Sequence, residues 1–196
     1  MNQLLPKKRF LTAHPDKLIN GCLRNDIQSQ EQLYKLCYPD MIKVCYRYAA
    51  DSDGAGTIYN DAMLKVFKNI SNYKDEGKLM GWIKTIVVNC CIDFCKKQHS
   101  FAPFQTENYI EERSIKPEVF DHVSGKEIQM LIKQLPNVTA TVFNMYVYEG
   151  FTHKQIGDLL GISDNTSKWH VSEAKKILKL KLEKSSEKEL KTNAAG

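Results

Sequence analysis

The stretch that most constrains this chain is Phe151 to Leu182, where a short helical pattern, a glycine and a long basic helical pattern follow one another. Thr152 is placed to cap a helix whose inward side is Ile156, Leu159 and Leu160, and Gly161 to end it in the left-handed conformation. Ile162 then fills the space between two helices, and the Ser163 hydroxyl caps the second. In that second helix Val171, Ala174, Leu178 and Leu182 recur at intervals of three and four, while Lys168, Lys175, Lys176, Lys179 and Lys181 lie largely away from the stripe. The pattern is a helix-turn-helix with segments 151–161, 162–165 and 166–182. Its second helix can be held by its apolar side and present its first two turns to the major groove of DNA.

Charge agrees with a polyanionic partner. The net formal charge is +5 and it is unevenly spread: fifteen basic against ten acidic side chains in residues 1–99, two against five in 100–125, and eleven against eight in 126–196. Two basic parts separated by an acidic stretch suit a protein that touches nucleic acid at two places. No apolar run is long enough to cross a membrane, and the segment Met1 to Arg9 lacks the apolar stretch of a secretory signal, so a cytoplasmic protein is expected.

The cysteines argue against a metal centre. Cys22, Cys37, Cys45, Cys90, Cys91 and Cys95 form no Cys-x-x-Cys knuckle, and Cys91 with Cys95 offers only two ligands on one helix. They read as free thiols packed as small apolar groups. His14, His99, His122, His153 and His170 are scattered, with no nucleophile at a spacing that marks a catalytic set, and no glycine-rich phosphate cradle is present. An enzyme with its own active site, or one carrying a cofactor, is not expected.

Periodicity divides the rest. From Lys17 to Gln98 the periodicity is helical throughout: Leu33, Leu36, Met41, Val44, Cys45 and Tyr48 mark a long helix bent near Pro39, Ile58 to Ile70 a second, and Leu79 to Lys97 a third. These stripes bury one another as a bundle. Between the second and third lies a polar loop, Ser71 to Lys78. There Tyr73 either packs over the helix ends or stacks on a single-stranded base, with lysines for phosphate. Residues 99–124 break the pattern and read as a flexible linker in which Phe101, Phe104, Tyr109 and Ile115 can dock. Helical spacing resumes in Ile128, Leu131, Ile132 and Leu135, stops at Pro136, and returns in Ala140, Phe143, Met145 and Val147, giving a small domain over 125–182. The tail, 183–196, is expected to fray. The fold class is therefore all-α: an N-terminal helical bundle joined by a flexible linker to a small helical domain with a helix-turn-helix.

Taken together, the two halves resemble a bacterial RNA polymerase sigma factor of the extracytoplasmic-function (ECF) group. The resemblance rests on Asp61-Ala62-Met63-Leu64-Lys65-Val66-Phe67, a loop, then the run Gly81 to Phe94, and on Leu135-Pro136, Val142-Phe143, Glu149 to Thr152 and Ile156 to Ser163. It covers about residues 15–98, similar to the family's promoter-melting domain, and about 125–182, similar to its upstream-element domain.

The resemblance implies three contact surfaces. Asn60, Asp61, Leu64, Lys65 and Lys68 would bind core RNA polymerase. Asn72, Tyr73, Lys74, Lys78, Trp82 and Lys84 would bind the separated strand of the downstream promoter element, with Trp82 open to either packing or DNA-facing use. Asn165, Thr166, Lys168, Trp169, His170, Glu173, Lys175 and Lys176 would meet the duplex of the upstream element. Departures from the family pattern are Gly56 and Thr57 in place of an acidic pair, Lys84 for arginine, Val88 for a basic residue and Ser167 for a buried valine. A glycine where a helix starts costs about 1 kcal/mol relative to alanine, and the missing acids remove a favourable term at the positive helix end. The Ser167 hydroxyl is expected to bond a carbonyl one turn back, and Asn89 to bond within its domain or to cap the loop.

The implied function is transcription initiation: recruiting core polymerase to promoter elements and assisting strand opening, in the cytoplasm at the nucleoid, with an anti-sigma protein as a further partner by family likeness. Two rivals share the recognition helix. One is a conventional helix-turn-helix regulator without polymerase binding; the other is a helical adaptor that has lost promoter activity. Co-purification with core polymerase and runoff transcription separate them.

Overall fold

A computed structural model describes residues 15–74, 77–98 and 125–193 of the chain. The expected linker at 99–124, with its four docking side chains, lies outside the described residues, as do Asp75, Glu76 and positions 194–196. Every described element is helical, and the chain divides after Phe94 into two compact units.

The first unit is built from α1 (Pro15–Leu23), α2 (Ile27–Tyr48), α3 (Ser52–Asn69), a 3-10 turn (Ile70–Asn72) and most of α4 (Leu79–Gln98). Asn25 takes a left-handed φ of 58° to turn the corner, and the Asp26 carboxylate then caps α2 by accepting the Ser29 backbone N–H at 2.9 Å. Bonds from the Ser29 hydroxyl and then its backbone hold the Asp26 carboxyl below its ordinary range. Pro39 lies inside α2 without ending it. Leu33, Cys37, Met41, Val44 and Cys45 keep the apolar line on both sides of the proline, and that burial outweighs its lost hydrogen bond.

The α3 helix begins earlier than the apolar stripe predicts. Asp51 caps it, accepting the Gly54 N–H at 2.8 Å, and Asp53 stands in its first turn, so negative charge is present at the positive helix end. Gly56 therefore sits in the second turn rather than at the start. The weakness inferred from Gly56 and Thr57 is corrected: the acids lie one turn upstream.

Ile58, Tyr59, Ala62, Met63 and Val66 from α3 and Ile83, Val87 and Cys91 from α4 complete the core. Tyr59 is fully buried, and its hydroxyl donates to the Tyr34 carbonyl at 2.6 Å. Its ring meets Tyr34 and Tyr38 edge-on, with centroids 4.8 and 5.2 Å away. All six cysteines are buried free thiols, and burial pushes that of Cys37 up to about 12. No group of side chains able to hold a metal occurs among the described residues.

The second unit contains α5 (Gly125–Ile132), α6 (Asn137–Val147), α7 (His153–Leu160) and α8 (Asp164–Asn193). Ile132, Leu135, Phe143, Ala174 and Leu178 form one cluster of its core, with Ile128, Leu131, Ala140 and Ile177 packed against them, and Val142, Met145, Ile156, Leu160 and Val171 are buried as well. Val147, read as part of the stripe, is 48% exposed because the stripe turns out of the core at the end of α6.

The segment from Glu183 continues as helix to Asn193. It is rich in strong helix formers with no glycine or proline before Gly196, and Lys179 pairs with Glu183 across one turn at 3.9 Å.

Candidate functional site

The outer face of α3 carries Asn60, Asp61, Leu64, Lys65 and Lys68 at helical spacing, all exposed. Leu64, 58% exposed, is the apolar centre of an otherwise polar strip. Lys65 Nζ meets Asp93 Oδ2 at 3.1 Å, which ties α3 to α4 and raises the lysine's pKa. Asn60 Oδ1 accepts the Tyr34 hydroxyl at 2.8 Å, which fixes that side chain at one end of the strip.

A second surface forms where the 3-10 turn leads to α4. Tyr73 is half-buried and its ring centroid lies 5.5 Å from that of half-buried Trp82, at 50° between planes. Each aromatic packs on the other and keeps part of its surface in solvent. The Tyr73 hydroxyl is buried and has no hydrogen-bond partner among the described residues. Lys74, Lys78 and Asn72 are exposed, Lys84 is half-buried, and Asn72 Nδ2 reaches Asn69 Oδ1 at 3.4 Å. Asn89, expected to bond inside the domain, stands at the surface. Val88 is 4% exposed, so its position belongs to the core; an apolar residue there fills the interior rather than vacating a phosphate contact.

The third surface is set by the turn between α7 and α8. Thr152 and Gln155 make a reciprocal cap: Thr152 Oγ1 accepts the Gln155 N–H at 3.2 Å, and Gln155 Oε1 accepts the Thr152 N–H at 2.8 Å. Gly161, at φ 71°, ends α7 and its N–H donates to the Gly157 carbonyl at 2.8 Å. Ser163 Oγ accepts the Thr166 N–H at 3.0 Å and starts α8. A Cβ on Gly157 would lie 2.7 Å from the Ile162 carbonyl oxygen, so this close crossing of helix and turn requires glycine.

At the start of α8 the side chains sort by face. Asn165 is exposed, and Lys168, Trp169, Ser172, Glu173 and Lys175 are half-exposed, leading to exposed Lys176. Thr166 and His170 face inward, at 2% and 8% exposure. These two are corrected as groove-facing side chains, because the helix phase that exposes 165, 168, 169 and 172 buries 166, 167 and 170.

His170 Nδ1 lies 3.0 Å from Thr139 Oγ1 of α6, and burial pushes the imidazole down to about 4. Ser167, wholly buried, has its hydroxyl 3.0 Å from His153 Nδ1 of α7. This replaces the expected carbonyl partner one turn back. The His153 ring in turn stacks on Tyr146 at 4.5 Å.

Comparison with known proteins completes the picture. A family model described as sigma-70 region 2 matches residues 33–101, and one described as sigma-70 region 4 matches residues 125–178. The chain belongs to the sigma-70 family of RNA polymerase sigma factors, in its ECF group. It is similar to the RNA polymerase sigma factor SigV of Bacillus subtilis, with 23% identity over 145 residues covering 74% of this chain and 86% of that one. It is also similar to the ECF RNA polymerase sigma factor SigE of Mycolicibacterium smegmatis, at 22% identity covering 77% of this chain and 60% of that one. A third relative is SigZ of Bacillus subtilis, at 27% identity covering 61% and 68%. Among solved structures, the sigma factor RpoE in complex with the anti-sigma factor NepR from Bartonella quintana aligns over 81% of this chain and 98% of that one, at 18% identity and a TM-score of 0.47.

As a sigma factor, the chain acts in transcription initiation by binding core RNA polymerase and engaging promoter DNA; catalysis belongs to the polymerase. No helix among the described residues is long and apolar enough to cross a membrane. Sequence reasoning about this sigma factor passed over Ser172, Asp93, Thr139 and the pairing role of His153. Ser172 had a signal, since it continues the interval of three and four from Asn165, Lys168 and Trp169. The other three had none, because each is defined by a partner distant in the chain.

Proposed function

We propose that residues 15–98 bind core polymerase and the separated strand of the downstream element, while residues 125–182 hold the duplex of the upstream element. The single observation that carries the reading is the Tyr73–Trp82 pair, half in solvent and accompanied in sequence by exposed Lys74 and Lys78. Aromatic faces stack on unpaired bases, at roughly 1–3 kcal/mol per base, while nearby ammonium groups hold phosphate. Strand opening follows from that preference: a surface that binds only unpaired bases shifts the equilibrium toward the open duplex.

In this reading the α3 strip of Asn60, Asp61, Leu64, Lys65 and Lys68 docks on polymerase, with Leu64 as its apolar anchor. Asn165, Lys168, Trp169, Ser172, Glu173 and Lys176 enter the major groove, and Lys175 meets phosphate. Thr166 and His170 support the helix from behind. The protein then works at the nucleoid in the cytoplasm, and an anti-sigma protein would act by covering one of these surfaces.

Reconstitution with core polymerase on a promoter library tests the reading, with transcript starts and strand opening read together. The expected result is promoter-specific runoff lost on Leu64→Glu while the variant's melting temperature is unchanged. A chain that folds and binds duplex but never joins the polymerase is a conventional regulator instead.

A further inference from the structure

Trp169 is an unusual side chain for a helix face that meets DNA. It is half-exposed between Lys168 and Ser172, and its ring stands edge-on to the imidazole of His170, with centroids 4.8 Å apart at 71°. His170 cannot swing away freely: it is 8% exposed and joined through Nδ1 to Thr139, itself 2% exposed, at 3.0 Å. The indole therefore leans on a side chain that is bonded to α6, and it keeps part of its surface in solvent.

The chemistry of the groove limits what such a surface can recognise. Base edges in the major groove present nitrogen and oxygen donors and acceptors, and a single apolar group, the 5-methyl of thymine. An indole has one N–H donor and no acceptor, so it cannot form the paired contacts by which Asn or Arg reads adenine or guanine. A broad apolar ring gains most where it covers a methyl.

We propose that Trp169 reads a thymine methyl in the upstream promoter element and that His170, held by Thr139, is the positioning residue that aims the indole. This rests on the upstream-element reading above. It assigns one base preference to one side chain, and a role in specificity to two residues that touch no DNA.

The test uses holoenzyme, the full chain with core polymerase, on a promoter taken from a library with a randomised upstream element. Each thymine of the selected element is replaced in turn by deoxyuridine, which lacks only the methyl. Wild type is expected to lose about fourfold in affinity at one thymine, the worth of one buried methyl-sized group. Trp169→Ala should lose no more at that deoxyuridine than at the others.

His170→Ala and Thr139→Val should also lose the thymine preference, keeping the salt dependence of binding, and His170→Asn, whose amide can still meet Thr139, should restore it. Wild type indifferent to every deoxyuridine, or Trp169→Ala as sensitive as wild type, overturns the methyl assignment. Full thymine preference in both His170→Ala and Thr139→Val overturns the positioning role. A holoenzyme that selects no upstream sequence overturns the underlying reading as well, so the two failures are distinct.

Discussion

Ser167 Oγ and His153 Nδ1 lie 3.0 Å apart, joining the buried side of the recognition helix α8 to the first residue of α7. A polar pair here holds two helices together. The serine is wholly buried, so its hydroxyl depends on that partner. A double-mutant cycle of Ser167→Ala and His153→Ala should give a coupling energy of about 1 kcal/mol. Urea unfolding followed by Trp169 fluorescence in a Trp82→Phe background measures it, and strictly additive losses would show that the two are not coupled.

His170 makes the same unit sensitive to acid. Its imidazole is pushed down to about 4 by burial, whereas an unfolded histidine titrates near 6.5, so protons bind the unfolded chain first as pH falls. Its contribution is complete above pH 6.5 and is lost progressively down to about pH 4, by roughly 3 kcal/mol at most. Melting temperature between pH 7.5 and 4.5 should fall more steeply for wild type than for His170→Asn. Equal slopes would assign the acid sensitivity to other groups.

Gly56 lies in the second turn of α3 with nothing within 4 Å of a built Cβ, so alanine fits there without strain. Gly56→Ala should stabilise the first unit by about 0.5–1 kcal/mol through helix propensity. Asp51→Ala, which removes the cap on Gly54, should destabilise it by about 1 kcal/mol. Thermal melts of the two variants should move in opposite directions; a drop for both would mean that Gly56 has a packing role.

Gly157→Ala places a methyl 2.7 Å from the Ile162 carbonyl and 3.3 Å from Asp164 Oδ1, so the turn must open. The expected cost is about 1–3 kcal/mol, with weaker upstream duplex protection in footprinting. Undiminished protection at unchanged stability would contradict the close crossing.

Tyr73 separates folding from function. Tyr73→Phe removes a buried hydroxyl that has no partner among the described residues, and should melt no lower than wild type. Tyr73→Ala should weaken open-complex formation about tenfold or more, with a smaller effect on closed binding, as loss of a stacking face requires. Permanganate reactivity of opened thymines against duplex gel shift distinguishes the two, and equal losses would remove the strand-binding role.

Local chemistry makes much of this fold legible in the residues themselves. Thr152, Gly161 and Ser163 are caps and a stop whose effect is confined to one turn, so the residue order alone places the helix-turn-helix. The start of α3 is hidden from such reading because its cap, Asp51, precedes the apolar stripe by two turns and leaves no mark in the periodicity. Val88 reads as the loss of a basic residue because likeness to a family pattern counts positions without measuring burial.

The sequence by itself determined the all-α class, the two helical regions and the place of the helix-turn-helix, since periodicity and capping act within a few residues. Tertiary structure alone decided that Thr166 and His170 face inward, that Ser167 answers to His153 and that Tyr73 leans on Trp82. Those relations join side chains that helix packing brings together, and such packing depends on the summed fit of many distant residues rather than on any local pattern.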